Sequence, residues 1–175
     1  MKFLILSVLL AFSVTVTYAQ NTVNKSKKQL KAKQKAWQME QIKTVIRSKS
    51  FVFKAQTVIP KNDRTKTLTA DFGIDVKNDS VYSYMPYFGN TYSRDYSSFK
   101  NSPMGFMQPI DNYSTKRTHS GYMVRIKVKN GYDVIDLTFH ISKTGNASVS
   151  ASSINRQGIT YTGIILIPVP AEPEK

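Results

Sequence analysis

The sequence predicts a mainly β domain of the α+β class, an antiparallel sheet that curls towards a half-barrel, with one N-terminal helix packed on it. Two observations carry this prediction. After residue 50, apolar and polar residues alternate in several short runs separated by turn residues, which is typical of hairpin-connected strands with one buried face. Before residue 50, Lys, Gln, Ala and Glu dominate a stretch without Gly or Pro, which favours a helix.

The clearest hairpin lies at 121–142, GYMVRIKVKNGYDVIDLTFHIS. Asn130-Gly131 separates two alternating runs, and this dipeptide favours a type I′ turn, in which both loop residues have a positive φ. We therefore expect these two residues to form the loop, with Lys129 facing Tyr132. The predicted cross-strand pairs are Tyr122 with Phe139, Val124 with Leu137, Ile126 with Ile135 and Val128 with Asp133 on the apolar face, and Arg125 with Asp136 on the polar face.

The remaining elements follow from the same patterns. A packed helix is expected at 35–49, where four apolar residues share one side: Met39, Ile42, Val45 and Ile46. Strands are expected at 51–58, 68–76, 81–85, 147–153 and 159–169, with short strand pieces near 104–107 and 113–116 inside an irregular segment, 86–118. That segment is rich in aromatic residues, so we expect it to be an ordered excursion over the sheet.

Residues 1–19 have the pattern of a signal peptide: Lys2, then an apolar run at 3–14, then Ala19 as a small residue at the cleavage position. The apolar run is shorter than the roughly 20 residues that a membrane-spanning helix needs, and an uncleaved anchor is the alternative. We therefore expect export to the periplasm or the cell surface. After the signal peptide, the composition predicts a basic leader at 20–34, a single β-rich domain at 35–170 and a polar tail at 171–175.

The formal net charge of +14 is concentrated before the β-rich part. Residues 21–49 contain nine Lys or Arg and one acid, Glu40. A basic arm of this kind, 25–49, can bind an anionic membrane surface, and a solvated helical arm is the alternative. Because export argues against nucleic acid as a partner, the expected partner classes are a glycan, a lipid or an envelope protein.

The absence of cysteine excludes disulfides, thiolate metal sites and a cysteine nucleophile. The two histidines, His119 and His140, are too few for a His-rich metal site. The sequence also contains no GxSxG motif, no Gly-rich phosphate loop and no clear Ser/His/Asp set. We therefore expect neither a metal nor a cofactor.

Carboxylates are the remaining catalytic candidates. Asp71 and Asp75 lie on one face of a predicted strand with Cα atoms about 13 Å apart, whereas the paired carboxyl groups of glycosidases lie about 5 to 9.5 Å apart. Asp95 and Asp111 lie among aromatic residues in the irregular segment. They support the alternative hypothesis, a periplasmic or surface hydrolase of polysaccharide or ester, beside the favoured one of a non-catalytic binding or interaction module.

The main candidate for a ligand site is the aromatic segment 84–96. Its candidate binding residues are Tyr84, Tyr87, Phe88, Tyr92, Arg94 and Tyr96. Tyrosine combines an apolar face with a hydroxyl group, so it can stack on a sugar ring or pack against a partner while it forms a hydrogen bond. The alternative is that these rings fill one end of the sheet as core residues.

A second candidate is the motif Asn155-Arg156-Gln157, which lies between two predicted strands. Arg156 can bind a carboxylate or a phosphate through two parallel hydrogen bonds. The alternative is that Arg156 fixes the neighbouring loop through backbone carbonyls.

Four segments resemble an exported bacterial family known as a domain of unknown function. They are SKSFVFKA at 48–55, YMPYFGNTYS at 84–93, the Pro109-Ile110 step before Tyr113, and INRQGITYTG at 154–163. The combination of PYFG with NRQ-x-I-x-Y-x-G is distinctive. The resemblance covers most of the chain after the signal peptide and implies a small secreted domain, chiefly of gut-type bacteria that carry many outer-membrane glycan systems. It implies no catalytic residue, because the family has no assigned activity.

Overall fold

The structure, a computed structural model, describes residues 27–92 and 102–167. Within these residues, a helix, α1, covers 27–47 and nine strands follow it. The strands are β1 (Ser50–Pro60), β2 (Lys66–Thr67), β3 (Gly73–Lys77), β4 (Ser80–Tyr84), β5 (Gly105–Arg117), β6 (Gly121–Asn130), β7 (Asp133–Ser142), β8 (Asn146–Ser153) and β9 (Ile159–Leu166). No helix in this part of the chain is both long enough and apolar enough to cross a membrane.

The chain divides into two compact units, Met1–Trp37 and Gln38–Lys175. The described part of the first unit is the helical stretch 27–37, whose side chains are exposed and include five lysines. Contact of this basic arm with anionic lipid stays a prediction. The second unit contains the end of α1, residues 38–47, and the nine described strands.

The strands of the second unit form an antiparallel barrel. Each strand from β3 to β8 pairs with the next one along the chain, and β1 pairs with both β3 and β9, so eight strands close on themselves. The short strand β2 adds a two-residue pairing to β1. The predicted antiparallel sheet with an N-terminal helix is confirmed, and its closure goes further than the predicted half-barrel. Closure pairs the edges that an open sheet would expose to other chains.

The β6–β7 hairpin forms, but its loop lies one residue later than the sequence predicts. Asn130 pairs with Asp133, so the loop consists of Gly131 and Tyr132. The positive φ of +62° occurs at Gly131 and not at Tyr132, as in a type II′ turn, which has glycine at its first loop position. The predicted type I′ loop of Asn130 and Gly131 is therefore wrong.

The register of this hairpin is shifted by two residues from the predicted one. Val124 pairs with Phe139 instead of Leu137, and Leu137 pairs with Ile126. Because side chains alternate with a period of two, this shift leaves each side chain on its predicted face. Val124, Ile126 and Leu137 are accordingly buried.

The charged pair on the outer face is also different. Asp136 lies opposite Lys127, with a nitrogen–oxygen distance of 3.6 Å, and not opposite Arg125. Both registers place a carboxylate beside a cation, so charge pairing alone does not distinguish them.

Two further segments depart from the sequence pattern. β5 runs unbroken from Gly105 to Arg117, where the sequence predicts two short strands, and it carries a bulge between Ile110 and Asn112 as its partner changes from β4 to β6. The predicted strand at 68–76 is correct only from Gly73 onwards. Residues 68–72 are not strand, since the N–H of Phe72 turns back to the carbonyl of Ala70.

The second half of α1 closes one end of the barrel. Ile42, Val45 and Ile46 are buried with the apolar residues of the barrel interior, and Ile42 lies against Gly145 in the β7–β8 turn. Tyr113 on β5 donates its hydroxyl to the carbonyl of Ile46 at 2.8 Å. Burial of each large aliphatic side chain contributes about 1.5–3 kcal/mol, so these contacts hold the helix on the barrel. We call this the helix end, and the opposite end, where β4 and β8 finish, the loop end.

Candidate functional site

The loop end of the barrel brings together the two motifs that the sequence singles out. The segment after β4 runs beside the segment between β8 and β9: Thr91 and Arg156 form a β-bridge, and Tyr92 donates its N–H to the carbonyl of Asn155 at 2.8 Å. The aromatic segment and the Asn155-Arg156-Gln157 motif therefore form one continuous structure.

Arg156 is turned inward and is 3% exposed. Its guanidinium makes an ion pair with one oxygen of the buried Asp133 carboxylate and donates to the carbonyl of Pro103. The other carboxylate oxygen accepts hydrogen bonds from the Ser153 hydroxyl and, at 3.1 Å, from the Asn155 amide. A buried ion pair is stable only when such additional hydrogen bonds complete it.

Asp133, the partner of Arg156, lies outside both motifs that the sequence marks. It is the first residue of β7 and occupies an inward position of an alternating strand. An acid at an inward position needs a cation or several hydrogen-bond donors. The inward position of Asp133 in the sequence pattern therefore indicates a cationic partner such as Arg156. The contacts of Arg156 match the alternative in which it fixes neighbouring segments, and a ligand-binding role for it stays a prediction.

Tyr87 joins the same two loops through its hydroxyl group. The hydroxyl donates to the carbonyl of Gln157 at 2.8 Å and lies 3.0 Å from the carbonyl of Asn90. On β9, Tyr161 is fully buried and donates to the carbonyl of Pro86 at 2.8 Å. Burial raises the pKa of both tyrosine hydroxyls, so each remains a neutral donor at neutral pH.

Tyr84, in contrast, is turned outward on β4 together with Tyr82. The two side chains are 56% and 51% exposed, and we call this pair the tyrosine ridge. The residues directly opposite Tyr84 on the neighbouring strands are Gly73 and Gly105, which carry no side chain. The ring of Phe72 stacks on Tyr84 with a centroid distance of 5.7 Å. Tyr84 is therefore open towards both neighbouring strands and is supported by Phe72, whereas Tyr82 lies between Asp75 and Met107.

A groove follows each side of the ridge. The groove towards β5 has a volume of about 520 Å³, and apolar groups of Pro86, Phe106 and Met107 line it. The groove towards β3 has a volume of about 260 Å³ and is lined in part by Asp71 and Asp75. Because both grooves are mainly apolar and the one towards β3 also carries carboxylates, the ridge can hold a ligand that has both apolar faces and hydroxyl edges.

The two carboxylates of the β3 groove are each paired with a lysine. Lys54 lies 2.7 Å from the Asp71 carboxylate, and this hydrogen bond lowers the pKa of Asp71. Lys77 lies 2.8 Å from Oδ2 of Asp75. The other oxygen, Oδ1, is buried and has no hydrogen-bond partner among the residues that the structure describes. A ligand donor can therefore reach Asp75 only at Oδ2, which can accept a second hydrogen bond beside the one from Lys77.

Phe88 and Tyr92 extend the exposed aromatic surface. The ammonium group of Lys66 lies 4.5 Å from the ring centroid of Phe88, and Tyr92 is 68% exposed. The other two candidate residues, Arg94 and Tyr96, lie outside the described residues. The predicted ligand residues thus divide into outward side chains, Tyr84, Phe88 and Tyr92, and side chains bonded into the loop end, Tyr87 and Arg156.

The parts of the chain that the structure describes contain weaker candidates for a metal site or a catalytic site. No three His, Asp or Glu side chains of residues 27–92 and 102–167 lie together as a metal site. Asp111 pairs with Lys129 at 3.0 Å on the exposed surface, and Asp95 lies outside these ranges. A further groove of about 570 Å³ surrounds His140, Ser148 and Thr162, and its described lining contains no acid to orient the histidine.

Comparison with known proteins identifies similarity in sequence and in fold. The model of a family described as a domain of unknown function, DUF4251, matches residues 33–165, which confirms the resemblance to a bacterial domain of unknown function. No curated protein matches the chain. The chain is similar in fold to the crystal structure of a DUF4251 family protein from Bacteroides eggerthii, with a TM-score of 0.55, 14% sequence identity, and coverage of 75% of this chain and 89% of that chain.

Proposed function

The chain belongs to the DUF4251 family, a domain of unknown function, and we propose that it is an exported, non-catalytic binding module. Its ligand surface is an exposed surface at the loop end of the barrel, formed by four aromatic side chains, Tyr82, Tyr84, Phe88 and Tyr92, and by Met107. Large outward rings of this kind on a strand and an adjoining loop are typical of surfaces that bind a ligand or a partner.

The observation that carries this proposal is that the side chains at the loop end point in two directions, some into the protein and some into solvent. Tyr87 and Arg156 hold the two loops together through hydrogen bonds to the protein. Tyr82 and Tyr84 project from this bonded frame into solvent. Because the supporting strand is already ordered, a ligand that stacks on the rings loses little free energy to the ordering of the protein.

The electrostatics of the nearby acids favour binding over hydrolysis. The general acid of a glycosidase needs a carboxyl group with a raised pKa. The hydrogen bond from Lys54 lowers the pKa of Asp71 instead. Asp111 is paired with Lys129 at 3.0 Å on the outer surface and lines neither groove of the tyrosine ridge.

Export is part of the proposal because residues 1–19 have the charge, length and cleavage pattern of a signal peptide. Protein recovered from the periplasm or the cell surface of a Gram-negative host should then begin near Gln20. Recovery of a cytoplasmic chain that retains residues 1–19 would contradict this part of the proposal.

The binding function is tested with variants that remove exposed rings and leave the hydrogen bonds of the loop end in place. Wild type and the Tyr84→Ala/Tyr92→Ala variant are compared on arrays of glycans, lipids and envelope proteins. We expect wild type to bind one ligand class and the variant to bind it about tenfold or more weakly. The matched control is Tyr132→Ala, because Tyr132 is a fully exposed tyrosine in the β6–β7 loop and lines neither groove.

Circular dichroism and thermal unfolding of each variant report whether the fold is intact. Equal binding by wild type and the double variant would contradict the assignment of the surface. Release of cleavage products from a glycan or ester substrate by wild type would show a hydrolase instead of a binding module.

A further inference from the structure

On the basis of the binding function above, we propose that the ligand of the tyrosine ridge is a neutral polysaccharide strand and that Asp75 binds its hydroxyl groups. The ridge supplies two stacking surfaces, and the β3 groove supplies a carboxylate beside them. Stacking on aromatic faces and hydrogen bonds to a carboxylate together match the alternating apolar faces and hydroxyl edges of sugar rings.

The spacing of the ridge suits a chain of sugar units. Alternate residues on one face of a strand lie about 7 Å apart, so Tyr82 and Tyr84 can contact neighbouring units of one chain. A Cβ atom at Gly73 would lie 2.6 Å from the carbonyl oxygen of Phe53, so the close approach of β1 and β3 requires glycine there. The same glycine leaves the flank of Tyr84 open to a ligand.

Asp75 supplies the polar anchor next to the ridge. It lies directly opposite Tyr82 on the neighbouring strand, and its side chain is 24% exposed. Oδ2 accepts a hydrogen bond from Lys77, whereas Oδ1 has no partner within the described part of the chain. Because Oδ1 is buried, a sugar hydroxyl in the groove donates to Oδ2, which can accept a second hydrogen bond beside the one from Lys77, while the sugar face stacks on Tyr82.

The charge around the ridge favours a neutral ligand. The carboxylates of Asp71 and Asp75 are balanced by the ammonium groups of Lys54 and Lys77. An anionic polymer would have to draw a lysine away from its acid, and an acyl chain would cover the Asp75 carboxylate without offering it a further donor. A neutral polyhydroxylated chain requires neither change, and Met107 adds an apolar contact on the other side of the ridge.

The test is isothermal titration calorimetry of the purified protein with four probes: a neutral β-glucan, a neutral α-mannan, polygalacturonate, and phosphatidylglycerol vesicles. We expect saturable binding of at least one neutral polysaccharide and of neither anionic probe. Tyr82→Ala and Tyr84→Ala should each weaken this binding by about tenfold, because each removes a stacking surface. Asp75→Asn should also weaken it by about tenfold, as expected for the loss of a hydrogen bond to a charged group.

Control variants separate a local effect from a change in fold. Tyr132→Ala removes an exposed ring outside both grooves and should bind as wild type does. If circular dichroism shows that Asp75→Asn is unfolded, the Met107→Glu variant tests instead whether the polysaccharide binds beside the ridge. Met107 is 72% exposed, so this substitution leaves the core intact, places a charge in the β5 groove, and should weaken polysaccharide binding.

The outcomes distinguish the ligand from the function. If only polygalacturonate or vesicles bind, and if this binding is lost in Tyr84→Ala, the ligand is not a neutral polysaccharide. The protein would still be a binding module. If polysaccharide binding is unchanged in Tyr82→Ala and Tyr84→Ala, the tyrosine ridge is not the binding site. If none of the four probes binds, the proposal of a neutral polysaccharide ligand is wrong. If the arrays also show no binding, the proposed binding function is wrong as well.

Discussion

Two groups at the loop end of the barrel differ in the direction of their side chains: the tyrosine ridge and the Asp133–Arg156 pair. Both groups include residues that the sequence marks as ligand-binding candidates. Arg156 is 3% exposed and its guanidinium bonds to protein groups, whereas Tyr84 is 56% exposed and stands between two glycines. Residue type therefore indicates where a site can form, and side-chain direction decides whether the residue supports the fold or faces a ligand.

The difference follows from the alternation of strand residues. On β4, Val81 and Ser83 face the interior, so Tyr82 and Tyr84 face solvent. Arg156 lies between strands, where no alternation sets its direction, and the buried carboxylate of Asp133 draws it inward. The first direction is local, and the second depends on a contact between distant parts of the chain.

Arg156→Ala should cause the largest loss of stability. We expect the free energy of unfolding to fall by about 3–5 kcal/mol, because the substitution leaves the Asp133 carboxylate buried without its cation. Urea unfolding followed by circular dichroism measures the loss. Arg125→Ala is the matched control, since Arg125 is exposed on β6, and it should change stability by less than about 0.5 kcal/mol. A loss near the control value for Arg156→Ala would show that the pair is solvated and open to ligands.

High pH should distinguish inward from outward tyrosines. Burial raises the pKa of Tyr113 to about 12 and also raises the pKa of Tyr161, from an ordinary value of 10.0. As the pH rises, the hydroxyl groups of Tyr113 and Tyr161 lose their protons in the unfolded chain before they do so in the folded protein. The stability that these two hydroxyls contribute is therefore fully present below pH 10.0 and is lost as the pH rises through their pKa values in the folded protein. Urea midpoints across this range measure the loss. Tyr161→Phe should flatten the dependence on pH, whereas Tyr132→Phe at an exposed position should not.

Tyr87→Phe should have a smaller effect that is confined to the loop end. Loss of the hydroxyl that bonds to Gln157 should lower the free energy of unfolding by about 1 kcal/mol. Amide hydrogen exchange at Gln157 and Tyr92 should become faster, because these N–H groups bond across the two loops. Loss of ligand binding without any change in stability or exchange would instead place the Tyr87 hydroxyl in the ligand site.

The fold class follows from local patterns, but the barrel does not. Alternation predicts which residues face inward, and a shift of two residues leaves that prediction intact, which is why the faces of β6 and β7 are right and their register is wrong. Closure depends on the pairing of β1 with β9, for example Val52 with Leu166. No local period encodes a contact between residues so far apart in the chain.

The candidate site shows the same limit. The sequence marks the aromatic segment and the Asn155-Arg156-Gln157 motif, and the structure brings them to one end of the barrel. The predicted aromatic segment begins at Tyr84 and so excludes Tyr82, although the two residues share the outer face of β4. Asp133 lies outside both motifs, because its partner Arg156 is 23 residues away in the chain.

Among the variants of the loop end, Tyr84→Ala should cause the smallest change in stability, and that small change is what makes it informative. The ring is exposed and its described ring contact is the stack with Phe72, so the free energy of unfolding should fall by about 0.5 kcal/mol. The same urea titration as for Arg156→Ala measures it. A loss of about 2 kcal/mol or more would indicate a core ring, and the open surface inferred for the ridge would then be wrong. Near-native stability together with lost binding can arise only if the outward ring contacts the ligand.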